Sequence, residues 1–128
     1  MVPSFTIGQV HYWGYAFNDQ ILGPKRFERI DPTGDFKRAR GRYSLHSDKP
    51  VLNVGLLNYI TESVTRLTQS PLMKVLGPDQ RISVDDAIRS ITIDAAYQIM
   101  LDYKVGGLEV GKLADFVILN RILVKLIL

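Results

Sequence analysis

The stretch Ser44-Leu45-His46-Ser47-Asp48-Lys49-Pro50-Val51 decides how this chain is read. Residues 43–47 have the composition of a strand, and the run closes on His-x-Asp before a Lys-Pro turn. Residues two apart on a strand point to the same side. His46 and Asp48 would then share a face at the strand's end, where a metal-ligand pair or a His–Asp acid–base pair could use them. The plainer reading is a strand-end histidine followed by an aspartate that opens the turn. Upstream, residues 4–13 (SFTIGQVHYW) are rich in β-branched and aromatic types and predict another strand, broken by Gly14. Between the two lie a turn at Gly23-Pro24, a short helix over residues 25–30 and the turn Asp31-Pro32-Thr33-Gly34-Asp35. A basic stretch, residues 36–42, then reads as the end of a short helix.

Downstream, Leu56, Leu57, Ile60, Val64 and Leu67 are spaced by threes and fours, which predicts one helical face over residues 54–68. Ser83-Val84-Asp85-Asp86 is a helix start, with Ser83 placed to cap the amide of Asp86. The face Val84, Ala87, Ile88, Ile91, Ala95 and Ile99 carries that helix to about Leu101. Gly106-Gly107 stops it, and residues 114–119 predict a buried-type strand. Strands separated by helices indicate a slice of a parallel α/β fold. Gly106 to Lys112 is no phosphate loop: Leu113 stands where Ser or Thr is needed, and a strand, not a helix, is predicted to follow.

With 128 residues, 46% apolar and 23% charged, the chain can bury a core of its own. A net charge of +3 gives no cause to invoke nucleic acid. The absence of cysteine excludes disulfides, thiolate metal sites and cysteine nucleophiles, and suits a reducing cytoplasm. The start Met1-Val2-Pro3-Ser4 does not read as a secretory leader, and no apolar run approaches the roughly 20 residues that span a bilayer.

Three further features are weighed. His11, beside Tyr12 and Trp13, reads first as a packed histidine; with His46 and Asp48 it could make the three protein ligands of a zinc site in a small independent metalloprotein. Lys37, Arg38, Arg40 and Arg42 could meet phosphates, though such runs are usually solvated faces. The tail Ile122-Leu123-Val124-Lys125-Leu126-Ile127-Leu128 is strongly apolar and could seek another surface.

Taken together, six blocks in order resemble the C-terminal part of the metal-dependent amidohydrolase superfamily, in the branch of N-substituted formamide deformylase. They are residues 3–14, residues 44–51, Val64-Thr65-Arg66, residues 75–83, Thr92-Ile93-Asp94-Ala95-Ala96 and Gly107-x-Glu109-x-Gly111-Lys112-x-Ala114-Asp115. The resemblance implies a slice of a (β/α)8 TIM barrel over residues 1–104, comprising its last two strands and following helices. Residues 105–128 would be part of the small β-sandwich beside it. It implies hydrolysis of a C–N bond of an amide-type small molecule by a metal-activated water, with a divalent metal, usually zinc. Asp48 would be both metal ligand and catalytic residue, with His46, His11 and Trp13 as active-site neighbours.

The chain departs from the family at Gln9, where relatives carry His, and at Tyr15, where they carry an acidic residue. Leu52-Asn53-Val54-Gly55 replaces a proline-bearing segment, and Gly106-Gly107 replaces Gly-Ser or Gly-Thr. The family's N-terminal His-x-His, its middle-strand Lys or Glu and its two later histidines have no counterpart here. A full barrel takes about 250 residues. The chain is therefore expected to be a fragment, a truncated product or, from its tail, a frameshifted one, and inactive alone with no metal of its own. The competing reading is a non-catalytic remnant that self-associates or binds a partner through its open strand edges and apolar tail.

Overall fold

A computed structural model describes residues 1–69 and 73–121. Two short strands, β1 (Ser4–Phe5) and β2 (Ser44–Leu45), lie parallel, with Ser4 opposite Ser44 and Phe5 opposite Leu45. Parallel neighbours need a long crossover. Here it holds α1 (Gly8–Ala16), a π-helical turn (Phe17–Ile21), α2 (Pro24–Phe27) and α3 (Thr33–Arg38). After β2 come α4 (Leu56–Thr65), a 3-10 turn (Pro78–Gln80), α5 (Val84–Ile91) and α6 (Ile93–Gln98). This is a small α/β unit: a two-stranded parallel sheet flanked by helices.

The core runs from the strands into the helices. Phe5 packs edge-on against Phe36 at 5.3 Å between ring centres and tilted against Tyr43 at 5.6 Å. Ile7, Val10, Phe27, Ile60 and Ala87 are sealed from solvent around them. The short helices over residues 25–30 and 36–42 are found close to where they are expected, as α2 and the end of α3.

Three expectations are corrected. The strand predicted over residues 4–13 ends at Phe5, and the remainder is α1. Ile7, Val10 and Gly14 are buried, three and four apart, while Tyr12, Trp13 and Tyr15 face out. Helical spacing of the apolar face outweighed the aromatic composition. The single helix predicted from Val84 to about Leu101 breaks at Thr92, where φ is −122° and ψ −99°. Ile91-Thr92-Ile93 sets three β-branched side chains in a row, each restricted against the preceding helical turn. Residues 114–119 form no strand; Phe116, Val117 and Ile118 are 65%, 83% and 85% exposed. A strand needs a partner for its backbone groups, and none pairs with this segment among the described residues.

The helix over residues 54–68 is found as α4, but its face is rotated from the one predicted. Ile60 is buried and Val64 packs against the core, whereas Leu56 and Leu57 are half exposed and Tyr59 and Ser63 are buried instead. The apolar tail from Ile122 onward lies outside the described residues.

Candidate functional site at the strand ends

Parallel strands deliver their C-terminal ends to the same side, and in α/β folds ligands bind there. In this chain those ends are Thr6, after β1, and His46, Ser47 and Asp48, after β2. His46 N–H donates to the Phe5 carbonyl at 2.9 Å, which continues the strand pairing one step further. Asp48 then turns into a left-handed backbone conformation, φ 55°, which aspartate tolerates better than most residues. The chain leaves the sheet there, and the Asp48 side chain stands exposed with no side-chain hydrogen bond among the described residues.

His46 is held differently. Its Nδ1 lies 2.7 Å from Ser4 Oγ and its Nε2 3.0 Å from Thr6 Oγ1, both residues of the neighbouring chain segment. A hydroxyl can either donate or accept, so each ring nitrogen has a hydrogen-bond partner. Ser4 Oγ also meets Ser44 Oγ at 2.8 Å, which extends this polar seam along the strand pair. Below it lies Asp31, 9% exposed, with Oδ2 lacking a hydrogen-bond partner. Burial pushes the Asp31 carboxyl above the usual carboxylate range, against the opposing pull of Arg66, His46 and the Thr6 amide. The turn composition of Asp31-Pro32-Thr33-Gly34 gave no sign that this carboxylate is buried beside the site.

His11 sits elsewhere, on α1. Its Nδ1–H donates to the Leu67 carbonyl at 2.8 Å. Its electrostatic partner is Glu62 on α4, whose Oε2 is buried without a hydrogen-bond partner. Burial raises the Glu62 carboxyl above its ordinary range, and His11 opposes that rise. Trp13, two residues on from His11, is 45% exposed and stacks loosely beside Tyr12.

A metal centre of three protein ligands is therefore not assembled from His11, His46 and Asp48. Among the described residues no group of three or more His, Asp or Glu side chains could hold an ion. Both His46 nitrogens are occupied by hydroxyls, and the free donor at the strand ends is the single Asp48 carboxylate. These residues do not fit a complete metal site, and an independent metalloprotein built on that trio has no support in this geometry.

The model of the amidohydrolase family matches residues 2–126. The chain belongs to the amidohydrolase family. As a member of this family of hydrolases it is similar over 119 residues, at 28% identity, to N-substituted formamide deformylase of Arthrobacter pascens; the match covers 93% of this chain and 21% of that relative. It is also 42% identical over 77 residues to Protein LONG AFTER FAR-RED 3 of Arabidopsis thaliana, covering 60% of this chain and 13% of that protein. The chain thus spans about a fifth or less of the curated relatives it matches. No solved structure matches. No helix among the described residues is long and apolar enough to cross a membrane.

Proposed function

We propose that this amidohydrolase chain is the C-terminal part of a metal-dependent enzyme that hydrolyses a non-peptide C–N bond, and that alone it is inactive. The observation that carries the reading is the free Asp48 carboxylate at the C-terminal end of a parallel strand pair. Residues 1–104 would be the last two strands of a (β/α)8 barrel with their helices, and residues 105–128 a piece of the adjoining β-sandwich. The exposed apolar face of residues 116–118 suits a segment whose sheet partners lie in the rest of such a protein.

Asp48 is the metal ligand and proton acceptor assigned from this chain; the other ligands of a zinc-type divalent metal would come from outside it. The metal, when bound, supplies an activated water. This chain's contribution is to aim Asp48, through the His46 clamp on Ser4 and Thr6 that holds β2 against β1. A small N-substituted amide is the proposed substrate class, supported by the relative matched over 93% of the chain. A cytoplasmic setting is proposed from the cysteine-free composition.

The test begins with the coding DNA upstream of Met1. An in-frame segment encoding His-x-His and the middle-strand ligands supports the reading, and a stop immediately upstream refutes a working enzyme. In the complete chain Asp48→Asn should lower turnover at least about 1,000-fold, while stability moves by less than about 0.5 kcal/mol because the side chain is exposed. Retained turnover would refute the role of Asp48. A second reading, a remnant that self-associates, is favoured by the same exposed apolar segment; sedimentation as a monomer at high concentration would count against it.

A further inference from the structure

The polar seam along the strand pair continues past Ser44 to α6. Gln98, the last residue of that helix, donates through Nε2 to the Val2 carbonyl at 3.2 Å. A carbonyl cannot donate, so this contact settles which end of the Gln98 amide is which. Its Oε1 is then the atom that meets Ser44 Oγ. An amide oxygen only accepts, so the single proton of the Ser44 hydroxyl goes to Gln98. Ser44 Oγ also lies 2.8 Å from Ser4 Oγ. With the Ser44 proton already placed, the proton in that contact belongs to Ser4.

Ser4 Oγ in turn lies 2.7 Å from His46 Nδ1. The Ser4 proton points to Ser44, so in the neutral ring the proton between Ser4 and His46 sits on Nδ1. The other ring nitrogen is then bare, and the 3.0 Å contact between Nε2 and Thr6 Oγ1 is donated by Thr6. Each contact leaves one arrangement for the next. The direction set at Gln98 therefore runs through Ser44, Ser4 and His46 to Thr6, at the end of β1.

We infer that Gln98 is a positioning residue for the strand-end site: through Ser44 and Ser4 it holds His46 as the tautomer protonated on Nδ1 and commits the Thr6 hydroxyl to Nε2. A hydroxyl committed in this way can offer a bound molecule only its lone pairs. Thr6, which is partly exposed, then accepts at the strand ends and does not donate. Relevance to turnover rests on the strand ends being the active site; the experiment reads the ring itself, so the two fail separately.

The experiment is a proton–nitrogen NMR correlation spectrum of the imidazole rings in the isotope-labelled full chain. It is recorded at about pH 9, where an ordinary imidazole is neutral. The chain has two histidines, and His11→Asn shows which ring is which. His46 should carry its proton on Nδ1, in about tenfold excess over the other tautomer, the ratio one well-made hydrogen bond supports. Gln98→Met keeps the length of a partly exposed side chain and removes the acceptor. It should lower that excess at least about fivefold. The His11 ring, bonded to the Leu67 carbonyl, should not change and so reports that the fold holds. Gln98→Glu keeps an oxygen for Ser44 and should keep the tautomer. A His46 proton on Nε2 in the parent chain would overturn the assignment without any variant having to fold. So would an Nδ1–H excess that survives Gln98→Met or is lost equally in Gln98→Glu.

Discussion

Arg66 is the largest side chain sealed from solvent, with no exposed surface at all. It closes α4 in a left-handed conformation, φ 52°, and its guanidinium donates to the carbonyls of Leu76 (2.7 Å), Ile30 (2.8 Å) and Asp31 (3.2 Å). Two segments, Ile30-Asp31 and Leu76, are thus tied to one side chain at the end of α4. Burial holds its pKa down to about 10, against the pull of Asp31. Arg66→Ala should cost about 3–5 kcal/mol, because it strands three buried carbonyls and leaves Asp31 without its cation; Arg66→Lys, which cannot span the three acceptors, should cost about 2 kcal/mol. Urea unfolding checks both. Glu62 carries the opposite lesson. Its folded-state pKa is raised from 4.5, so its contribution to stability is full below that value and is lost as pH rises through the folded value. Glu62→Gln should therefore be more stable than the parent near pH 8, by about 1 kcal/mol or less, with the gain vanishing near pH 4. Unfolding midpoints across that range decide it, and an advantage that grows on acidification would refute the sign. His46 and Asp48 were legible as residues just past a strand, but β2 stops at Leu45 and Asp48 turns to a positive φ, so the shared strand face read from their spacing does not form. Arg66, Glu62 and Asp31 were not legible, because charged residues in turns and on helices give no local sign of burial.

At the scale of elements, the most legible feature was the start of α5. Ser83 Oγ accepts from the Asp86 amide at 3.1 Å and donates to the Asp86 carboxylate at 2.7 Å. Ser83→Ala should cost about 1 kcal/mol, read from the thermal midpoint. Gly77 marks what local pattern does not show. It precedes the Pro78–Gln80 turn with φ 59°, and a Cβ there would lie 2.3 Å from the Glu28 carbonyl. Gly77→Ala should destabilise by more than about 2 kcal/mol, since strained backbone and steric overlap add; a change under 1 kcal/mol would mean that α2 gives way freely. The misread elements share one cause. Residues 4–13 and 114–119 were assigned strands on composition, yet composition states which surface a residue tolerates, not which partner is present. The first segment found a buried helical face through Ile7, Val10 and Gly14; the second found no partner among the described residues.

For the whole molecule, the sheet is small and the exposed apolar surface large. Leu108, Val110, Phe116, Val117 and Ile118 are all more than half exposed on one stretch. Exposed apolar side chains in this number favour association. Sedimentation should show concentration-dependent oligomers, and Val117→Lys with Ile118→Lys should shift the chain toward monomer without altering its unfolding midpoint. The α/β class was legible from the alternation of strands and helices. The scarcity of strand was not, because pairing depends on residues far away in sequence or beyond this chain.

The pairing of Ser4 with Ser44 also fixes an order of events in time. β1 leaves the ribosome first and its partner follows forty residues later, a lag of about 2–8 s at typical synthesis rates. Through that interval Phe5 and Ile7, both destined for the core, have no sheet to join. α1 is local and can form in microseconds or less, so the nascent chain can fold its first helix while the strand beside it waits. Slower translation between residues 6 and 43 should then lower the yield of soluble chain.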